Sequence, residues 1–316
     1  MTISASLLAA LIDFASYRGI PSILLYDLVD EKSIDWCAPE SRISRASYLK
    51  VLKHILQHSQ TPQLGIYFGR YLNLSALGMV HQISMQTKSI EQAILILQIY
   101  LEHQFPLLQL SLDIKKEAIR LQLHVNIQNQ DLKAILLDSS FILLAKELQL
   151  MLPQNSLSCF VPSNNLVAYI SVLNHPIQEG TFYSFEIDPL SIKQGLNLKN
   201  TQHIEILLPQ YLKMVHQNEH NRNFVGITKN MILHLCAPEL PNMQVVCQQL
   251  ALSTRSFQRK LYTEGSSFRK ISLEIKQELS TFLEAGKKIK TQDIAYILGY
   301  SEASAYIHAR NNWKKA

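Results

Sequence analysis

The sequence predicts an α+β N-terminal domain followed by an all-α C-terminal domain with two helix-turn-helix units joined by a long helix. Three observations carry this. The apolar period changes from helical to strand-like and back within the first 200 residues. After Pro238 and Pro241 only helical patterning remains. Within that last stretch a helix, a short turn and a second helix occur twice. A length of 316 residues fits about two domains. The expected boundaries are 1–205, linker helices over 206–240, and 241–316.

Each element follows from local pattern. Leu7, Leu8, Leu11, Ile12 and Ala15 share a helical face, predicting a helix over 2–18. Ser44 is placed to cap a helix over 44–58, with Leu49, Leu52, Ile55 and Leu56 inward. The region 62–105 alternates Gly-containing turns with helical pattern, and Ser89 caps a helix carrying Ile90, Ala93, Ile94 and Leu97. Leu107–Ile114 and Ala118–Val125 read as strands of a hairpin around Lys115-Lys116-Glu117. A helix over Leu132–Leu152 ends before Pro153. Strand-like Leu157–Val161 and Phe182–Ile187 flank a helical piece, Leu166–Leu173. Ile204–Gln217 and Thr228–Cys236 read as helices either side of a polar run, 217–223.

Composition narrows the function classes. With 47% hydrophobic and 17% charged residues the chain can fill a packed core, which excludes a mainly disordered protein. Ten Gly and eleven Pro exclude a collagen-like chain. Cys37, Cys159, Cys236 and Cys247 are too scattered for a disulfide framework or a zinc knuckle, and a reducing cytosol is expected. Thr2–Ala15 imitates a signal sequence, but no basic residue precedes Arg18 and Asp13 interrupts the apolar run. The best candidate for a membrane span, Ala134–Leu152, contains Asp138, Lys146 and Glu147, so no membrane partner is expected.

Charge is uneven. Residues 1–221 carry 16 basic and 18 acidic side chains, whereas residues 222–316 carry 14 and 7. A small basic domain attached to a near-neutral one suggests a polyanion-binding module. A Lys-rich solvated surface would give the same totals.

The basic segment has the outline of a nucleic-acid reader. Val246, Leu250, Phe257 and Leu261 are spaced to face one core, and Ser253 sits at the N-cap of the second helix. The outer face of that helix holds Arg255, Gln258 and Arg259. Arg reads guanine bidentately and Gln can do so for adenine. Gly265 ends the helix and Ser267 caps the next, about Phe268–Ala285. Gly286 ends that helix, and after the basic turn 287–290 Thr291 caps a helix through Leu298. Val246, Cys247, Leu250 and Ser253 match Ile294, Ala295, Leu298 and Ser301 at a constant offset, and Phe257 matches Tyr306 one residue later. Two such units on a rigid helix can enter successive major-groove segments about 34 Å apart.

Leu250–Leu261 together with Glu264-Gly265-Ser266-Ser267-Phe268-Arg269 resembles the first helix-turn-helix of AraC/XylS-type transcriptional regulators. Asp293–Tyr306 resembles the second, the family's most specific signature, and the likeness spans about 225–313. Pro39–Ala46, Leu64–Gly69, Ser75–Gly78 and Ser89–Ala93 resemble the arabinose-binding-like regulatory domain of ornithine- and arginine-responsive members. That label is historical and does not imply arabinose.

The resemblance implies a sequence-specific transcriptional regulator, cytoplasmic and nucleoid-associated, that is not an enzyme. Its partners would be double-stranded promoter DNA, a small-molecule effector, a second copy of the chain as a homodimer, and RNA polymerase. The effector-binding residues are unassigned. Arg255, Gln258 and Arg259 would read bases from the first unit, and Ser304 and His308 from the second. Ser253, Lys260, Ser267, Arg269, Lys270, Lys290 and Ser301 would contact phosphates. Two departures stand out. Position 308 is commonly Arg in the family, and position 310, here Arg, is usually a core Phe. A buried Arg is costly unless its head escapes or finds a partner. The chain also lacks the helix that usually follows Trp313 in the family. A degenerate second unit points to an alternative: a chain that pairs with a paralogue and modulates it without binding DNA strongly.

His216, Glu219 and His220 match the inverted zinc-protease spacing, a minor zinc-binding alternative set against an accidental match in a polar linker. Cys247 reads as a small core residue, with a redox role as the alternative, and His81, His103 and His124 as isolated histidines. No G-x-S-x-G, Walker A or G-x-G-x-x-G run occurs, so no catalytic residue, cofactor or resident metal is assigned.

Overall fold

The computed structural model describes every residue except 1, 32–33, 37, 39, 60, 62, 88, 115–118, 163–164, 193–195, 197, 219–222, 237–239, 286–289 and 314–316. The chain divides into two compact units, Met1–Thr201 and Gln202–Ala316.

The first unit opens with a strand rather than a helix. β1 (Thr2–Ser4) pairs antiparallel with β2 (Arg42–Ser44), placing Ile3 opposite Ile43. Both isoleucines are fully buried. The helix expected from residue 2 therefore begins at Ala5, as α1 (Ala5–Tyr17). The β-branched Thr2 and Ile3 suit the ladder better than a helical first turn. α2 (Ser22–Tyr26) precedes β2, and α3 (Arg45–His58) follows it. The Ser44 hydroxyl caps α3 by accepting from the Ser47 amide at 3.1 Å.

Next come α4 (Leu64–Tyr71), α5 (Asn73–Gln86) and α6 (Ile90–Gln104). Ser89 caps α6 by accepting from the Gln92 amide at 3.3 Å. The glycines expected to mark turns here lie inside helices: Gly65 and Gly69 in α4, Gly78 in α5. For Gly65 and Gly69 the role is close packing, whereas a Cβ at Gly78 would meet nothing within 4 Å. A Cβ at Gly65 would stand 2.6 Å from the Ile135 carbonyl, and one at Gly69 2.6 Å from the Ser139 carbonyl. Two glycines one turn apart thus let α4 touch the backbone of α7.

β3 (Leu108–Ile114) and β4 (Ile119–Val125) form an antiparallel hairpin whose turn, Lys115-Lys116-Glu117, lies outside the described residues. α7 (Gln130–Met151) follows, capped by Asn129. Then come β5 (Leu157–Val161), α8 (Leu166–Leu173), β6 (Ile177–Glu179), β7 (Ser184–Ile187) and α9 (Pro189–Ile192). The sheet order is β3-β4-β7-β5-β6, antiparallel except for the parallel β5–β6 edge. α7 is the organising element. It packs on α3, α4, α5, α8, β4 and β5 and buries residues around most of its circumference.

The regular elements among the second unit's described residues are all helices. α10 (Leu198–Asn218) begins six positions ahead of the expected Ile204 and crosses the unit boundary. α11 (Phe224–His234) starts four residues earlier than expected from Thr228. The reason is capping from two sides. Asn223 Oδ1 accepts from the Gly226 amide at 2.8 Å. The Glu264 carboxylate accepts from the Phe224 and Val225 amides, each at 2.8 Å. A carboxylate at a helix N-terminus satisfies amides that lack intrahelical partners. α12 (Met243–Gln249), α13 (Thr254–Thr263), α14 (Phe268–Ala285), α15 (Thr291–Ile297) and α16 (Ala303–Trp313) complete the unit. Thr291 is the first residue of α15 rather than its cap. Lys290 holds the cap position, with no side-chain hydrogen bond.

Candidate nucleic-acid interface and effector cavity

α12 and α13 are joined by a tight turn. The Ala251 amide donates to Gln248 O at 3.1 Å and the Leu252 amide to Cys247 O at 2.9 Å. Ala251 adopts a left-handed conformation, φ +53°. The turn between α15 and α16 repeats both bonds at the same offset as the sequence match: Gly299 to Tyr296 O at 2.9 Å and Tyr300 to Ala295 O at 2.9 Å. Gly299 is also left-handed, φ +75°.

The Ser253 hydroxyl caps α13 by accepting from the Ser256 amide at 3.2 Å. Phe257 and Leu261 are fully buried, and the Phe257 ring meets Phe224 with centroids 5.5 Å apart. These anchors set the rotation of α13 about its axis. Arg255, Gln258 and Arg259 consequently stand exposed together on its outer face. Tyr262, 81% exposed, continues that face one turn on and was absent from the expected set. Its spacing from Arg255 and Arg259 is the signal that would have found it. Of the expected phosphate contacts, Ser253, Lys260, Ser267, Arg269 and Lys270 are all exposed. The Lys260 ammonium stands 5.3 Å from the centre of the Phe224 ring, and Ser267 caps α14.

The second pair is built differently. Ser304, His308, Lys290 and Ser301 are exposed, as is Ile307 between the first two. The Ser304 hydroxyl donates to Glu302 Oε2 at 3.1 Å. Tyr306 is fully buried where Phe257 stands in the first pair. Its hydroxyl donates to Glu284 Oε1 at 2.6 Å and accepts from Ser280 Oγ at 2.7 Å. Burial pushes the Tyr306 phenol upward, with the Glu284 hydrogen bond adding to the shift. Arg310 finds a partner: Nη1 donates to Glu284 Oε1 at 3.0 Å, and about a third of the side chain remains exposed. That contact raises the Arg310 pKa, so the guanidinium stays charged. The Lys276 ammonium of α14 lies 4.8 Å from the centre of the Tyr300 ring. The basic turn 287–289 lies outside the described residues.

The zinc alternative is only partly visible. His216 is exposed on α10, and Glu219 and His220 lie outside the described residues. Among the described residues no group of three or more His, Cys, Asp or Glu side chains could hold a metal. Cys159, Cys236 and Cys247 are buried free thiols, and burial raises all three pKa values, Cys159 to about 12. A thiol so placed is a poor nucleophile and redox centre. The His103 ring contacts the Arg42 guanidinium at 3.0 Å, and the His124 ring meets Ser111 Oγ at 3.1 Å. No described helix is long and apolar enough to cross a membrane.

The first unit contains a cavity of about 180 Å³ against α7. Leu7, Phe68, Met79, Leu101, Phe105 and Leu136 supply apolar wall, and Ser75, Ser139 and Tyr100 supply hydroxyls. Glu147 also lines it, 1% exposed, with Oε2 lacking any hydrogen-bond partner. Burial lifts the Glu147 pKa well above the usual carboxylate range. Burial likewise raises the nearby Tyr100 phenol, and the Glu147 charge adds to that shift.

Residues 32–157 match the family described as the arabinose-binding domain of AraC transcription regulators, N-terminal. That match places an arabinose-binding domain of the AraC-regulator type within the first unit. The uncharacterized HTH-type transcriptional regulators Rv1395 of Mycobacterium tuberculosis and Mb1430 of Mycobacterium bovis are each 24% identical over 110 residues. That stretch covers 35% of this chain, and the chain spans about a third (32%) of those relatives' length. The HTH-type transcriptional regulator VqsM of Pseudomonas aeruginosa is 29% identical over 75 residues, 24% of this chain and 23% of its own. The crystal structure of transcriptional regulator CdpR, also from Pseudomonas aeruginosa, aligns over 84% of this chain and 88% of that one. Its sequence identity is 15% and its TM-score 0.38. The relatives carry the names of transcriptional regulators, not of enzymes.

Proposed function

We propose that this chain is an AraC-type regulator that binds promoter DNA sequence-specifically as a homodimer and responds to a small-molecule effector held in its first unit. In this reading 1–205 binds effector and dimerises, 206–240 links, and 241–316 is a double helix-turn-helix that engages DNA and RNA polymerase. Arg255, Gln258 and Arg259 read base edges from α13, with Ser304 and His308 adding contacts from α16. Ser253, Lys260, Ser267, Arg269, Lys270, Lys290 and Ser301 hold phosphates and make affinity salt-dependent. The observation that carries the proposal is the exposed Arg255/Gln258/Arg259 face on a helix fixed by fully buried Phe257 and Leu261. Base readout needs donors held in place as well as donors present.

Fluorescence anisotropy of the purified protein on its own upstream DNA and on scrambled DNA, at two salt concentrations, tests it. Arg259→Ala is expected to weaken specific binding by about 1–3 kcal/mol and to relax preference at one base position. Equal loss on every sequence would reduce Arg259 to a phosphate contact. One observation favours the second reading, a modulator that pairs with a paralogue. On α16 the Ser304 hydroxyl is already engaged by Glu302, and Ile307 stands exposed beside it. Weak binding, equal on both DNAs and lost with salt, would favour that modulator.

A further inference from the structure

We propose that the cavity against α7 is a site for a small amphipathic amine, whose ammonium pairs with the Glu147 carboxylate, the side chain turning to meet it, while its apolar body fills the space between α1, α4, α5 and α6. The inference deepens the effector reading above by giving the site its residues and its ligand a chemical class.

Size sets the first limit. A cavity of about 180 Å³ is slightly larger than the roughly 150 Å³ apolar cavity that holds a benzene. The ligand is therefore about the size of a substituted benzene or a short alkyl chain. Its body is mainly apolar, because Leu7, Phe68, Met79, Leu101 and Phe105 form much of the wall, with the hydroxyls of Ser75, Ser139 and Tyr100 among them.

Glu147 sets the chemistry. Glu147 is among the residues lining the cavity, is 1% exposed, and its buried Oε2 has no hydrogen-bond partner, so the carboxyl is short of a donor. No Lys, Arg or His is among the residues lining the cavity, and its other titratable groups are the phenols of Tyr48 on α3 and Tyr100 on α6. An anionic ligand would thus be buried with no counter-charge. An ammonium brings the missing donor and makes the pair neutral. Charge-assisted hydrogen bonds are roughly twice as strong as neutral ones, so an amine is favoured over an alcohol of the same shape. Burial raises the Glu147 pKa and so favours the neutral carboxyl while the cavity is empty. The incoming ammonium keeps its proton and the carboxyl releases its own to solvent, leaving a carboxylate–ammonium pair.

The test uses the full chain and three isosteric probes: benzylamine, benzyl alcohol and benzoate, compared by thermal shift and calorimetry. Benzylamine is expected to bind about tenfold tighter than benzyl alcohol, and benzoate not at all. Glu147→Gln keeps the shape and loses the charge. It should fold, and it should bind benzylamine no better than benzyl alcohol. Equal binding of all three probes, no benzylamine binding at millimolar concentration, or unchanged benzylamine binding in Glu147→Gln would each overturn the proposal. Anisotropy on DNA with benzylamine present separates the two readings. Binding that leaves DNA affinity unchanged supports the site and counts against its being the effector switch.

Discussion

The pairs α12/α13 and α15/α16 share a frame and differ in how they are held. Both close their turns with the same two backbone hydrogen bonds, and both place a residue with positive φ at the same point. Both bury an aromatic ring on the inner face of the second helix, Phe257 in one and Tyr306 in the other. One turn later the pairs part. Leu261 is fully buried and apolar, whereas Arg310 is half-buried and held by Glu284. In the first pair the second helix is fastened by apolar side chains, Phe257 and Leu261, while α12 buries one polar residue, Gln249. In the second, Tyr306 and Arg310 of α16 are tied by polar bonds to Ser280 and Glu284 of α14. A polar fastening substitutes for a missing core residue, and the outer face is left with Ser304, Ile307 and His308.

The largest expected effect tests the aromatic anchors. Phe257→Ala should destabilise the first pair by about 3–5 kcal/mol, the range for emptying a packed aromatic site. Tyr306→Phe keeps the ring and removes the hydroxyl between Ser280 and Glu284, so about 1–2 kcal/mol is expected. Hydrogen exchange of the α13 and α16 amides reads the two locally. If Tyr306→Phe cost as much as Phe257→Ala, the network rather than the ring would be the anchor.

The next pair of substitutions addresses the point of divergence. Leu261→Ala should cost about 2–5 kcal/mol. Arg310→Ala should cost no more than about 1 kcal/mol, because the Arg310–Glu284 pair is about one-third exposed on each side and solvent screens it. High salt should shrink the second effect and leave the first unchanged. A larger, salt-insensitive loss at Arg310 would mean that its stem packs as Leu261 does.

This contrast also marks what the sequence made legible. The caps at Ser44, Ser89 and Ser253 followed from side-chain chemistry acting over three residues, and all three form. The exposed face of α13 was readable because Phe257 and Leu261 fix its rotation. What depended on distant partners was not readable. Thr2–Ser4 is a strand only because Arg42–Ser44 lies beside it. Gly65 and Gly69 resembled turn markers because the α7 backbone they touch is some 70 positions away in sequence. Glu284 resembled one more solvated charge on a long helix, yet it receives both Tyr306 and Arg310. Glu147 was hidden for a related reason. α7 is apolar on most sides, so periodicity could not say whether its single buried carboxyl met core, solvent or a cavity.

The smallest effects concern the turns. Ala251 holds φ +53° with a Cβ, a conformation that costs an L residue roughly 1–2 kcal/mol. Gly299 holds φ +75° without that cost, and the nearest atom a Cβ there would meet is Lys276 Nζ at 3.8 Å. Ala251→Gly should therefore stabilise the first pair by up to about 1 kcal/mol, the strain relieved being offset in part by the freer unfolded chain. Gly299→Ala should destabilise the second pair by about 1 kcal/mol, from backbone strain rather than collision. Denaturant midpoints of the two variants should move in opposite directions. If Ala251→Gly lowered stability instead, the turn of the first pair would be held by the Ala251 methyl group, and the shared frame would extend to backbone hydrogen bonds but not to backbone strain.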